Sequence, residues 1–188
     1  MLKNAINESI ALQRKILALD NKIQNIIDKI YINLKSGNKI YICGNGGSAA
    51  DAQHLAAEFL VRLRPKINRK PFPVISLLQD TSTITACAND YGFENIFSRN
   101  LAALASTGDI LFTLSTSGNS KNIIKVLKLA NTMGIFSISF LGAKGGKAKG
   151  LASIDLIIPS NNTARIQEAH MFLGHHIFEM VENKLIKL

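Results

Sequence analysis

At 188 residues and 47% apolar composition, the chain has material for one domain with a continuous core. No apolar run reaches the roughly 18–20 residues of a membrane span, and the N-terminus lacks the short apolar block of a signal peptide, so a cytoplasmic protein is expected. The net charge of +9 suits an anionic partner, but the densest basic stretch (Arg62, Arg64, Lys66, Arg69 and Lys70) has no interleaved aromatics and reads as solvated surface, not as a nucleic-acid reader.

Apolar residues recur at helical spacing from Leu2 to Lys35, and Gly37 supplies a stop; Asp20-Asn21 offers a new start midway, so one kinked helix or two in series is expected. Such a long amphipathic segment needs something to lie against, and a neighbouring subunit is the natural candidate. Lys39–Cys43 then reads as a strand ending in a glycine-rich turn, followed by a helix from about Ser48 to Leu63. Strands at Val74–Leu78, Ile110–Leu114, Ile135–Leu141 and Ile154–Ile158 alternate with helices from Thr81, over Glu94–Ala105, to about Thr132, and from Thr163 to the end. Five short apolar strands alternating with helices predict an α/β fold with a five-stranded parallel sheet covered on both faces. No linker splits it, so residues 1–188 read as a single domain. Cys43 and Cys87 sit far apart in apolar contexts and read as free thiols in a reducing compartment.

Ligands of open parallel sheets sit beyond the carboxyl ends of the strands. The loops there are small and hydrogen-bonding: Gly44-Asn45-Gly46-Gly47-Ser48 after the first strand, Gln79–Ser82 after the second, Ser115–Ser120 after the third. The first formally fits a dinucleotide fingerprint, but no Asp or Glu lies between Glu58 and Asp80 to hold a ribose. The third puts Ser115, Thr116, Ser117 and Ser120 around Gly118 where a helix begins. One hydroxyl would cap that helix; four suggest a phosphate cradle on its N-terminal N–H groups.

GNGGSAADAQH, NDYGF, FSR, STSGNS, GGK and RIQE, in this order from Ile40 onward, resemble the phosphoheptose isomerases of the sugar isomerase (SIS) fold. The resemblance implies isomerisation of sedoheptulose 7-phosphate to D-glycero-D-manno-heptose 7-phosphate through an enediol, the first step of heptose synthesis for the lipopolysaccharide core. It also implies a homotetramer with sites at subunit contacts, residues 1–36 packing on other subunits, and long terminal helices. Carried over by position, Asn45, Gly46, Gly47, Ser48, Glu58, Asn89, Asp90, Ser115, Thr116, Ser117, Ser120 and Gln167 would hold the phosphorylated sugar.

Aldose–ketose isomerisation needs a base at carbon and a proton carrier for the oxygens, and a carboxylate with a histidine suits both tasks. His54 and Glu58, at i and i+4, share one helix face. Of His170, His175 and His176 the family pattern selects His175, leaving the other two as surface or core imidazoles. The resemblance makes Glu58 the base, His175 its acid/base partner, and His54, Glu58, Gln167 and His175 the ligands of one zinc ion per subunit. Gln167 and His175 stand about 12 Å apart along a straight helix at 1.5 Å per residue, so both must lean inward or come from different subunits. Relatives often carry an acidic residue where this chain has Ala164. The rival reading is a non-catalytic SIS protein that binds a protein partner, of the replication-initiator-associating type. Such proteins resemble degenerate isomerases lacking the catalytic pair, which this chain retains.

Overall fold

The computed structural model describes residues 1–186. Two helices in series lead the chain, α1 (Leu2–Ile16) and α2 (Asp20–Lys35), separated by a tight turn at Leu17–Leu19. The break falls where expected, but Asp20 is the first residue of α2 and its side chain caps nothing. The sheet is built from β1 (Ile40–Gly44), β2 (Val74–Ser76), β3 (Ile110–Ser115), β4 (Phe136–Gly142) and β5 (Ile154–Ile158). Between them lie α3 (Gly47–Ala57), α4 (Thr81–Tyr91), α5 (Ile96–Leu104) and α6 (Lys121–Thr132), and α7 (Thr163–Ile186) closes the described chain. The last helix was expected to reach the terminus; residues 187–188 lie outside the described residues.

The strands are all parallel, in the order β2-β1-β3-β4-β5. Ile40 pairs with Val74 on one side and Ile110 on the other. Alternation along each strand divides the core into two layers. Ile40, Ile42, Phe112, Leu114, Ile138, Phe140, Leu156 and Ile158 face α1, α2, α3 and α7. Tyr41, Cys43, Leu111 and Leu141 face the layer of Cys87, Phe97, Leu101, Ile123 and Leu127 from α4, α5 and α6. Both thiols are free and buried, and burial pushes the Cys43 thiol up. Thr113 and Ser139 pair their hydroxyls at 2.9 Å between neighbouring central strands, so neither is left unsatisfied in the core.

Two caps set helix starts near the strand ends. The Asp80 carboxylate accepts from the Ser82 and Thr83 N–H groups at 3.0 and 3.2 Å, and the Asn162 side chain accepts from the Ala164 N–H at 3.1 Å. The Thr83 hydroxyl and these bonds hold the Asp80 carboxyl below its usual value. Among the described residues no helix is long and apolar enough to cross a membrane.

The strand order reverses direction between β1 and β3: α3, which follows β1, packs on one face, and α6, which follows β3, on the other. That switch point opens a crevice between the first and third loops, where ligands of such sheets bind.

Candidate active site

The crevice is stitched across by a reciprocal amide pair. Asn45 Nδ2 donates to Asn122 Oδ1 and Asn122 Nδ2 donates to Asn45 Oδ1, both at 2.9 Å. Asn122 Oδ1 also accepts from the Ile123 N–H at 2.9 Å, so one buried side chain fixes the first loop to the first turn of α6. In the third loop the Ser115 hydroxyl accepts from the Gly118 N–H and that of Ser117 from the Asn119 N–H, each at 3.2 Å. Ser120 holds the N-cap position of α6 in extended backbone, and among the described residues its hydroxyl makes no capping bond. Asn45, Ser48, Leu114, Ser115, Thr116, Ser117 and Ser120 enclose a cleft of about 120 Å³. Hydroxyls and amides line it beside a helix N-terminus, the environment an oxyanion prefers.

Gly118 can only be glycine here. Its φ is +63°, and a Cβ would overlap the Gly145 carbonyl of the second glycine-rich loop, whose Ala148 N–H donates to Gly118 O at 2.8 Å. Gly47 is the other close approach, since a Cβ there would overlap the Gln167 amide nitrogen of α7. Gln167 is thus held against the first loop.

At the far end of α3 a second cluster forms. His54 Nε2 lies 2.9 Å from His175 Nε2 and 3.2 Å from Glu58 Oε1. The two rings meet edge to face at 5.1 Å, and the three potential ligand atoms all lie within 4.8 Å of one another. Helix periodicity puts His54 above Glu58. Close packing of α7 on α3 brings in His175, because its neighbour Gly174 leaves space that a Cβ would deny to Leu55. His54 is exposed, whereas Glu58 and His175 are half-buried. Two imidazoles and a carboxylate form a donor set that zinc accepts in tetrahedral sites with a further position open.

Other expected positions fall out differently. Asn89 and Asp90 form the last turn of α4, the helix expected from Thr81, and do not belong to the loop after the second strand. Both are exposed, and Asn89 Nδ2 donates to Asp90 Oδ1 at 2.8 Å. Gly92, at φ +87°, ends the helix just beyond them. His170 is a core imidazole, 0% exposed, and His176 lies beside Phe172 on the α1-facing side of α7. The basic stretch is not uniformly solvated as expected: the Arg69 side chain is 2% exposed and pairs with the fully buried Glu182, which supplies the counter-charge its interior position requires. Ala164 is exposed at the start of α7.

Sequence reading missed Asn122 and Asp51. Asn122 follows STSGNS by two residues, and no local pattern distinguishes it from a surface asparagine. Asp51 sits one turn before His54; its Oδ2 is buried without a partner among the described residues, and burial raises its pKa while the His54 imidazole lowers it. Its place in GSAADAQH, on the face shared by Gly47, His54 and Glu58, was the available signal.

Comparisons with known proteins agree with this architecture. A family model for the SIS domain matches residues 6–142. A phosphoheptose isomerase of Aliarcobacter butzleri is 46% identical over 189 residues, covering 98% of this chain and 99% of that protein. Among solved structures, a phosphoheptose isomerase from Francisella tularensis superposes with a TM-score of 0.89 at 32% identity, covering 97% of this chain and 96% of that one. One from Neisseria gonorrhoeae gives 0.88 at 36% identity, covering 97% of each chain. With a matching domain, full-length relatives and the same fold, the chain belongs to the phosphoheptose isomerase family of SIS-domain proteins.

Proposed function

We propose that this protein isomerises sedoheptulose 7-phosphate to D-glycero-D-manno-heptose 7-phosphate in the cytoplasm, supplying heptose for the lipopolysaccharide core. The observation that carries this reading is the convergence of His54 and Glu58, at the end of the helix that begins at the hydroxyl-lined cleft, with His175 of α7. Ser48, Ser115, Thr116, Ser117 and Ser120 would bind the phosphate, with Asn45, Gly46 and Gly47 presenting backbone and amide groups beside it. Glu58 would take the proton from the carbon next to the carbonyl, and His175 would move protons at the oxygens. Asn89, Asp90 and Gln167 would hold the sugar hydroxyls.

Glu58 stands ten residues beyond Ser48, about 15 Å along the helix axis at 1.5 Å per residue. That span exceeds the distance from phosphate to carbonyl carbon in an extended heptulose phosphate. It supports a site in which the cleft of one subunit meets the His54–Glu58–His175 cluster, or Asn89-Asp90, of another. The apolar surface left on the end helices supports a homotetramer in the same way. Leu2, Ile6, Ile10 and Leu17 are 46–75% exposed, and a groove of about 570 Å³ lies between α1, α2 and α7 beside the exposed Phe172. Within residues 1–36, α2 is buried against this subunit's own sheet and α7, so it is the exposed apolar face of α1 that would pack on neighbouring subunits.

His54, Glu58 and His175 would hold one zinc ion per subunit, with Gln167 joining by reaching along α7 or from a neighbour. Bound there, zinc would polarise the carbonyl and hydroxyl oxygens of the substrate. Incubating purified protein with sedoheptulose 7-phosphate in deuterated water and following it by NMR tests the proposal. Aldoheptose phosphate carrying deuterium at the carbon next to the carbonyl is expected. Glu58→Gln should bind the ligand and lose about 10²–10⁴-fold in turnover, the usual worth of a general base. Wild-type protein that binds the ketose phosphate without converting it would favour the non-catalytic, partner-binding reading.

A further inference from the structure

The segment after α3 buries an ion cluster that proton transfer alone does not explain. Glu182 on α7 is 0% exposed and accepts from Arg69 Nε at 2.5 Å and from Arg64 Nε at 2.7 Å. A buried ion pair is worth little net stability against apolar side chains of the same volume, so its place in the fold calls for another account. The remaining donors of Arg69 supply one. Its Nη2 donates to the Glu58 carbonyl at 2.8 Å, and its Nη1 donates to the carbonyls of Phe59 at 2.9 Å and Lys70 at 3.1 Å.

Glu58 and Phe59 open a π-helical turn, Glu58–Arg62, that ends the α3 helix. Carbonyls at a helix end lack partners within the helix, and a π turn rotates the side chains around it relative to a continuous α-helix. The Phe59 carbonyl also accepts from the Phe72 N–H at 3.0 Å, and Arg69 is the side chain that bridges it to the Glu58 carbonyl, so it helps to set where the Glu58 side chain points. A guanidinium does this as no other side chain can, because its planar fork offers two Nη groups to successive carbonyls while Nε engages a carboxylate. The rings of Phe72 and Phe59, at 4.7 and 5.5 Å from the guanidinium carbon, flank it.

We propose that Arg69, oriented by Glu182, is a positioning residue for Glu58: by holding the Glu58 and Phe59 carbonyls it locks the π turn that aims the Glu58 carboxylate at His54 and His175. The inference rests on Glu58 being the carboxylate that moves the proton. Arg69→Lys preserves the charge opposite Glu182 but cannot span both carbonyls. It should fold and assemble like wild type, keep KM within about threefold, and lose about 10–100-fold in kcat, because a reacting group misplaced by about 1 Å costs on the order of 10². Combined with Glu58→Gln it should cause no further loss, since both changes act on one carboxylate.

A lysine variant with wild-type kcat overturns the positioning role, and so does an equal loss in the Glu58→Gln background. If the lysine variant does not fold, the pair Arg69→Met with Glu182→Leu carries the same comparison, because it replaces the two buried charges by apolar groups and leaves the part-exposed Arg64 beside Glu179 at 3.8 Å. Failure of both to fold would make the cluster purely structural and also overturn the proposal. Full turnover by Glu58→Gln alone would instead remove Glu58 as the base, a different result from an inactive Glu58→Gln beside a fully active Arg69→Lys.

Discussion

His170 ties stability to pH in a way the structure allows to be worked out. Its ring lies 5.6 Å from that of Phe140, its Nε2 sits 3.5 Å from the Leu141 carbonyl oxygen, and its Nδ1 is buried without a partner among the described residues. Burial pushes its pKa from the ordinary 6.5 down to about 4, although the Leu141 carbonyl favours the protonated ring. The unfolded chain therefore takes up a proton that the folded chain refuses. Stability from this group is intact above pH 6.5 and is lost as pH falls toward 4. Between pH 7.5 and pH 5 the loss from this one site is about 2 kcal/mol, rising to about 3 kcal/mol by pH 4. Urea unfolding at fixed protein concentration, repeated across that range, should show it, provided wild type is compared with His170→Leu at each pH. The variant has its own offset from lost packing, but its pH profile should be flatter by about 2 kcal/mol over pH 7.5 to 5. Parallel profiles for the two proteins would refute the assignment of the effect to His170.

Gly118→Ala must adopt φ near +63° and push against the Gly145 carbonyl, so it should lose at least about 2 kcal/mol in urea unfolding and raise KM for the sugar phosphate. Asn122→Leu strands the Asn45 amide and the Ile123 N–H, and steady-state kinetics should show KM raised about tenfold, with about 1–3 kcal/mol lost in stability. His54→Ala removes the nitrogen that faces both His175 and Glu58, so zinc retained after desalting, measured by elemental analysis, should fall at least about tenfold. Phe172→Glu places a charge on an exposed apolar position beside the groove against α1, and light scattering should report a smaller assembly than wild type.

Much of this protein could be read directly from the order of its residues. Strand and helix periodicity, the glycine and hydroxyl loops after β1 and β3, and the i,i+4 pair His54 and Glu58 are local patterns, and local steric and hydrogen-bonding preferences determine them. The strand order β2-β1-β3-β4-β5 required the packed sheet, as did the meeting of His175 with His54 across 121 residues of chain. The start of α4 at Thr81, behind the Asp80 cap, was legible locally, whereas its extension through Asn89 and Asp90 was not. Arg69 reads in sequence as one more surface cation. Only the folded chain brings Glu182 to it from 113 residues away and turns its fork toward the Glu58 carbonyl. Those contacts arise when α7 docks against α3, and the desolvation that makes them specific does not exist until the two helices have met.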